Sequence, residues 1–412
     1  MFNITSGLAL PDAEYLKYRI EQSVSNRGIR VDNNIFTLRE QLKADTEDKL
    51  KYITSTYTIS NPNSPKQLRD FMNEYFSEEA LDMCRDREGK ITTSKEKMAD
   101  LAHNEQFKFE SKFAIDLLSY RNVSKRLEAL ETILNNCDRC GIIKPQVTLG
   151  NTNRINYSKP ALMNIPKALL WQVIRPYGDD SYLVSADIKN QEPWILINML
   201  GIDELKQAIK SDSNGLYNAI YKIIYKKEPT EIERKECKTA WNALTYGSTK
   251  MGLKRICKNI DSDALYNYFT HIQELKDYRS KCYAMATNRV RQCETYFGTV
   301  LHPDARMKGQ LQRQLMDFPI QGTGSDILSL LVEHIDTELE AKQLDSNISI
   351  YYSRHDEIIF EVSNNIRKED AVKIIESLTK HQVDDWEPFN VEVKIIDNIA
   401  QKDIDSDDEI EL

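Results

Sequence analysis

The sequence predicts an α+β fold, with a few short strands set among many helices. Three observations carry that expectation. Tyr182-Leu183-Val184-Ser185-Ala186 is a short apolar run bounded by Gly178-Asp179-Asp180, the pattern of a buried strand. Far downstream, Ile348-Ser349-Ile350-Tyr351-Tyr352 and Ile358-Ile359-Phe360-Glu361-Val362 flank a short polar stretch, the pattern of a hairpin. Between them, Arg234 to Gly247 has helical spacing and ends on a glycine, and residues 1–145 read as mostly helical.

The chain has 412 residues, 41% hydrophobic and 29% charged, with a net charge of −9. That composition suits a globular protein with ample length for a large core. No run approaches the roughly 18 apolar residues of a membrane span, and the N-terminus lacks a signal peptide's apolar segment. A cytoplasmic location without membrane contact is therefore expected. Seven cysteines, an odd number without framework spacing, indicate reduced thiols. Cys137-Asp138-Arg139-Cys140 is a single CxxC with no second pair at zinc-finger spacing, which argues against structural zinc. An acidic chain that binds nucleic acid must gather its cations in a cleft, because phosphate contacts need positive charge.

Taken in order, the elements carry their own chemistry. Ser64 caps a helix that has Pro65 in its first turn. Asp187 stands at the end of the strand run, where a carboxylate can leave the core and hold a metal. Arg234, Lys238, Asn242 and Tyr246 are four apart, so they form one stripe along a helix. Two cations in successive turns suit a polyphosphate, since Arg grips bidentately and Lys acts as a point charge. A solvated basic face is the plainer alternative. His355, Asp356 and Glu357 crowd the hairpin turn, and burying that much charge is costly unless a cation or substrate uses it. A solvated acidic turn is the plainer alternative there. The apolar run Ile327 to Val332 reads as a core helix. The tail, residues 403–412, is acidic and reads as a solvated end or a partner-docking peptide.

Three of these motifs, in this order, resemble the family-A DNA polymerases, the group of bacterial DNA polymerase I. That family carries D-x-S-Q-I-E, a helix R-x-x-x-K-x-x-x-x-x-x-x-Y-G, and a terminal H-D-E. Here they stand as Asp187…Glu192, Arg234…Lys238…Tyr246-Gly247 and His355-Asp356-Glu357. Further segments resemble the family: Arg27 to Asp32, Ser64 to Leu68, Tyr120-Arg121 with Lys125, 148–166, and Arg313 to Asp326. The resemblance implies a right-hand polymerase fold, with an antiparallel palm sheet and helical fingers and thumb. Residues 1–145 would form the thumb and N-terminal palm-associated helices. Palm would follow in 146–205, fingers in 206–310, and palm again in 311–402.

It also implies roles. Asp187, Asp356 and the Ile188 carbonyl would hold two Mg²⁺, with Mn²⁺ as a substitute, and Glu357 would be an outer carboxylate beside them. Arg234 and Lys238 would grip the nucleotide's β- and γ-phosphates. Tyr246 would pack at the nascent base pair. Glu192 matches the gate that crowds a ribose 2′-OH. Arg154, Arg313, Gln321, His355 and Asn164 would contact primer–template DNA, and Arg121 and Lys125 would belong to a thumb gripping the duplex. Four departures from the pattern bear on these roles. Asn242 replaces a sugar-packing aromatic residue, for which Trp241 could partly compensate. Asp317 replaces an Asn, and Asn153 replaces a Gly whose left-handed backbone Asn can keep. The family's phosphate-binding His is absent, with Asn214 or Tyr217 near its position.

The expected function is template-directed addition of deoxynucleotides to a primer 3′-OH, without a proofreading exonuclease because no block precedes the polymerase motifs. Primer–template DNA and dNTPs are the expected partners of a monomeric subunit, with a small accessory or single-strand-binding protein as a further one. Two alternatives stay open. One is a primase-polymerase of a mobile element that also initiates chains, motivated by Asn242, the polymerase-only layout and the acidic tail. The other is an inactive nucleic-acid-binding scaffold.

Overall fold

Every residue from Tyr182 to Ala186 is buried, and the strand they form runs Ser181–Ile188. The computed structural model describes residues 1–5, 11–86, 88–104, 106–211 and 215–396. The acidic tail at 403–412 and Asn214 lie outside the described residues. Contacts divide the chain into two bodies. The first comprises Met1–Asn26, Val147–Asn156 and Gly178–Ile395, and the second gathers Arg27–Gln146 with Tyr157–Tyr177. Residues 1–26 thus cluster with the first body rather than with the helices that follow them.

The first body is built on a four-stranded sheet in the order Ile348–Arg354, Glu357–Ser363, Ser181–Ile188, Val391–Ile396. The hairpin expected downstream supplies the first two strands, paired antiparallel. Its turn is only His355-Asp356, and His355 has a φ of 55°, as the first residue of a two-residue hairpin turn often requires. The second hairpin strand runs antiparallel to Ser181–Ile188, with Ile359 opposite Ser185 and Glu357 opposite Asp187. The Lys368–Thr379 helix packs on this sheet.

The Glu231–Thr245 helix starts earlier than its sequence spacing suggested, because Thr230 and Glu233 form a capping box. It ends as expected at Gly247, whose φ of 88° suits glycine. The Ser248 N–H then reaches the Ala243 carbonyl at 2.8 Å, closing a Schellman motif. Cys237, Ala240, Trp241 and Leu244 are buried on one face. Arg234, Lys238, Asn242 and Tyr246 remain on the more accessible side.

The core helix read at Ile327 to Val332 is part of a helix of 34 residues, Lys308–Ala341, with Pro319 inside it. Gly322 lets this helix approach its neighbours, since a Cβ there would meet Leu301 Cδ1 at 2.5 Å and Thr295 Cγ2 at 2.8 Å. Arg19 Nε lies 2.8 Å from Asp336 Oδ2, fastening the N-terminal Ala13–Glu21 helix to the same helix.

The second body is mainly helical. Asn34–Tyr57 packs along Lys108–Asn136. Tyr57, Phe71, Phe76 and Phe113 interlock between the helices, with ring centroids 5.0 Å apart for Phe71 and Phe113. Pro65–Tyr75 begins with the Ser64 cap that its sequence indicated. The Arg121 guanidinium is spent internally, donating to the Thr93 carbonyl at 2.5 Å and to Thr93 Oγ1 at 3.0 Å. Among the described residues, no helix is long and apolar enough to cross a membrane.

The Gly322 contact yields a test. Gly322→Ala overpacks the junction and should cost about 1–3 kcal/mol, read as a lower urea midpoint at unchanged m-value. An unchanged midpoint would show that Leu301 and Thr295 move aside freely.

Candidate active site

The register of the central strand with the hairpin decides the site's geometry. With Glu357 opposite Asp187, the turn residue Asp356 abuts the end of the central strand, and the Ile188 N–H donates to the Asp356 carbonyl at 3.2 Å. Burial, and then the neighbouring charge of Asp187, push the Asp356 carboxyl up to about 6. A cation would relieve that crowding. Two carboxylates and the Ile188 carbonyl would offer hard oxygens, a donor type that suits Mg²⁺ because that ion keeps waters and binds few protein ligands. Among the described residues, no three His, Cys, Asp or Glu side chains converge as a complete metal cage. Glu357 is buried and accepts a short hydrogen bond from the Ser185 hydroxyl. His355 is exposed in the turn.

Asp187 also has a partner that the motif reading did not single out. Lys189 Nζ lies 2.8 Å from Asp187 Oδ2 and 2.7 Å from Glu392 Oε2. Lys189 lies in the turn just after the Ser181–Ile188 strand, so strand alternation alone did not point to this contact.

A second group gathers on Glu192, in the first turn of the Gln191–Leu200 helix. Arg154 Nη2 lies 2.6 Å from Glu192 Oε1, and the Tyr246 hydroxyl donates a short hydrogen bond to Oε2. Burial and Glu192 raise the Tyr246 pKa well above the ordinary phenol value. Arg154 is placed by a tight loop in which Asn153 has a φ of 57°, the left-handed backbone expected of it. The Ser325 hydroxyl holds the Asn153 carbonyl at 2.6 Å.

Arg313, Asp317 and Gln321 follow one another at helical four-residue spacing on Lys308–Ala341. Burial, then Glu192, push the Asp317 carboxyl up to about 6, and Gln321 hydrogen-bonds to it. Arg313 and Asp317 line a cavity of about 580 Å³ with Tyr246, Gln310 and Gln314. Asn164 is exposed in the second body, at the end of the short Leu162–Asn164 turn of helix.

The stripe on the Glu231–Thr245 helix differs from expectation at one point. Trp241 is fully buried, with its ring 5.0 Å from Phe269 at 69°. It lies in the apolar core of its helix face and does not compensate for Asn242. The Asn242 carbonyl oxygen instead accepts from the Tyr217 hydroxyl at 3.1 Å. Tyr217 is buried, and Lys238 Nζ lies 5.9 Å from its ring centroid.

Residues 33–401 match the family described as DNA polymerase family A, and the chain belongs to that family. It is 24% identical to DNA polymerase I of Lactococcus lactis over 430 residues, covering 97% of this chain and 45% of that protein. It is 25% identical to DNA polymerase theta of Drosophila melanogaster over 351 residues, covering 76% of this chain and 16% of that protein. The chain thus spans less than half the length of either relative. A solved structure, the POL domain of Pol1 from M. smegmatis in complex with DNA primer-template and dNTP, superposes with a TM-score of 0.74 at 21% identity. The superposition covers 89% of this chain and 66% of that one, and it shows the α+β polymerase fold.

The Asp356 environment makes a pH prediction. Its folded pKa of about 6 stands above the ordinary 3.8, so ionising it costs stability as pH rises through that window. Asp356→Asn should therefore be more stable than the parent at pH 7.5, by on the order of 1 kcal/mol. The gain should vanish near pH 4. Urea melts at both pH values check this, and an equal gain at both would contradict it.

Proposed function

We propose that this chain is a template-directed DNA polymerase that extends a primer 3′-OH with deoxynucleotides. The observation that best supports this reading is Glu192. Through Tyr246 it ties the end of the Arg234–Lys238 helix to a helix that starts just after Asp187. Phosphate-gripping cations and strand-end carboxylates thereby share one region of one body.

In the proposed reaction, the primer O3′ bonds to the α-phosphorus of the incoming nucleotide. The bond from that phosphorus to the bridging oxygen breaks, pyrophosphate leaves, and the hydroxyl proton passes to solvent. Arg234 and Lys238 bind the β- and γ-phosphates and offset charge on the leaving group. Asp187, Asp356 and the Ile188 carbonyl would hold Mg²⁺, or Mn²⁺ in its place, which when bound supplies Lewis-acid charge for the attacking and leaving oxygens. Glu357, held by Ser185, keeps negative charge beside that pair. Tyr246 packs against the nascent pair, and Glu192 stands where a ribose 2′-OH would intrude. Arg154, Arg313 and Gln321 contact primer–template, as do His355 and Asn164. Arg154 senses pairing geometry through acceptors common to every base pair. In this reading 146–205 and 311–402 act as palm, 206–310 as fingers, and 1–145 as thumb with N-terminal helices.

A second reading, chain initiation without a primer, is favoured by one observation. The Asn242–Tyr217 pair puts polar groups where the family pattern has an aromatic face, and so relaxes how the sugar is held. One experiment decides between the readings: incorporation on a single DNA template with Mg²⁺, with and without primer, using deoxy- and ribonucleotides separately. Primed deoxynucleotide extension alone is expected. Unprimed products would favour the second reading, and no product under any condition would overturn both. Lys238→Ala should raise the KM for dNTP roughly tenfold or more, as loss of a charged phosphate contact requires. An unchanged KM would remove Lys238 from the phosphate grip.

A further inference from the structure

Lys189 is a charged residue at this site that the proposed reaction does not use. The family pattern D-x-S-Q-I-E has an uncharged serine at its place. Its backbone N–H donates to the Asn390 carbonyl at 2.8 Å, which fastens it beside the edge strand Val391–Ile396. From there its ammonium bridges two carboxylates, Asp187 on one side and Glu392 on the other. Glu392 is itself shared, because Lys394 Nζ lies 2.8 Å from its other oxygen. Burial opposes the Lys189 charge, but the bonds to Asp187 and Glu392 outweigh it and hold its pKa above the ordinary lysine value. Burial likewise opposes ionisation of Glu392, but Lys189 and Lys394 hold its pKa below the usual range.

An ammonium on Asp187 Oδ2 competes with any divalent cation for the same carboxylate, and its charge repels that cation over a few ångströms. Glu392 offers the ammonium another partner. Lysine has a flexible stem and a compact charge, so it can lean towards either carboxylate without moving the backbone.

We propose that Lys189 is a positioning residue for Asp187, and that Glu392 draws its ammonium aside. Together they set the affinity of the Asp187–Asp356 pair for a divalent cation. The inference rests on the proposed metal-holding role of those two aspartates. It assigns opposite signs to the two residues. Removing Lys189 tightens cation binding, and neutralising Glu392 weakens it by leaving the ammonium on Asp187. A salt bridge that merely latches the edge strand would change stability and leave cation affinity alone.

The test is a Mn²⁺ titration of the whole chain, with free Mn²⁺ read by electron paramagnetic resonance and no turnover required. Asp187→Ala should lose the site. Lys189→Met should bind about tenfold more tightly than the parent, the scale a nearby unit charge sets at a partly exposed site. Lys189→Arg, which keeps the charge, should stay close to the parent. Glu392→Gln should bind more weakly, and that loss should largely disappear in the Lys189→Met background. Parent-like affinity in Lys189→Met, with Asp187→Ala defective, would overturn the proposal and leave the metal reading standing. So would an equal Glu392→Gln effect in both backgrounds. Parent-like binding in Asp187→Ala would overturn the metal reading, and the proposal with it. Should Lys189→Met fail to fold, Glu392→Gln still decides: weaker binding beside a parent-like Lys189→Arg supports the proposal, and parent-like binding in Glu392→Gln overturns it.

Discussion

The pairing register between Ser181–Ile188 and Glu357–Ser363 is the constraint on which the candidate site depends. Side chains alternate along a strand, so a slip of one residue would turn Asp187 to the opposite face and move the hairpin turn away from it. Burial guards against that slip. Residues 182–186 and 357–362 are buried without interruption, so no shifted register keeps the same apolar contacts. The like-charge crowding felt by Asp356 follows from the same register. A stable sheet thus holds two carboxyl groups in an arrangement that is costly without a counter-charge.

The remaining charge is distributed in keeping with that cost. The chain is acidic overall, with a net charge of −9. Near the site, two acids are met locally: Asp187 by Lys189, and Glu192 by Arg154 and Tyr246. Asp317 is half-buried, and its Oδ1 lacks a hydrogen-bond partner among the described residues. The pattern motif has an amide at that position, so the site here carries an extra acid beside Glu192.

Much of this was legible in the sequence because it rests on local rules. The strand at 182–186, the hairpin, the Ser64 cap and the Gly247 stop each follow from a few adjacent residues, though the strands extend further and leave Glu357 out of the turn. What stayed illegible depends on partners distant in sequence. Trp241 and Asn242 are neighbours, yet helical geometry sends one into the Phe269 core and the other to the Tyr217 hydroxyl. The bond from Arg121 to the Thr93 carbonyl likewise joins residues far apart in the chain. Residues 1–26 could not be assigned to the first body from their composition, because what holds them is Asp336, far along the chain. The Thr230-x-x-Glu233 capping box is also a local signal, and it sets the helix start ahead of the Arg234 stripe.

The central claim is that Asp187 and Asp356 form the catalytic pair. The most direct measurement is single-turnover incorporation of one deoxynucleotide on a primed template by Asp187→Ala and Asp356→Ala, with duplex affinity measured alongside. The account predicts that each substitution abolishes incorporation while duplex binding stays close to that of the parent. Parent-like turnover in either variant would contradict it.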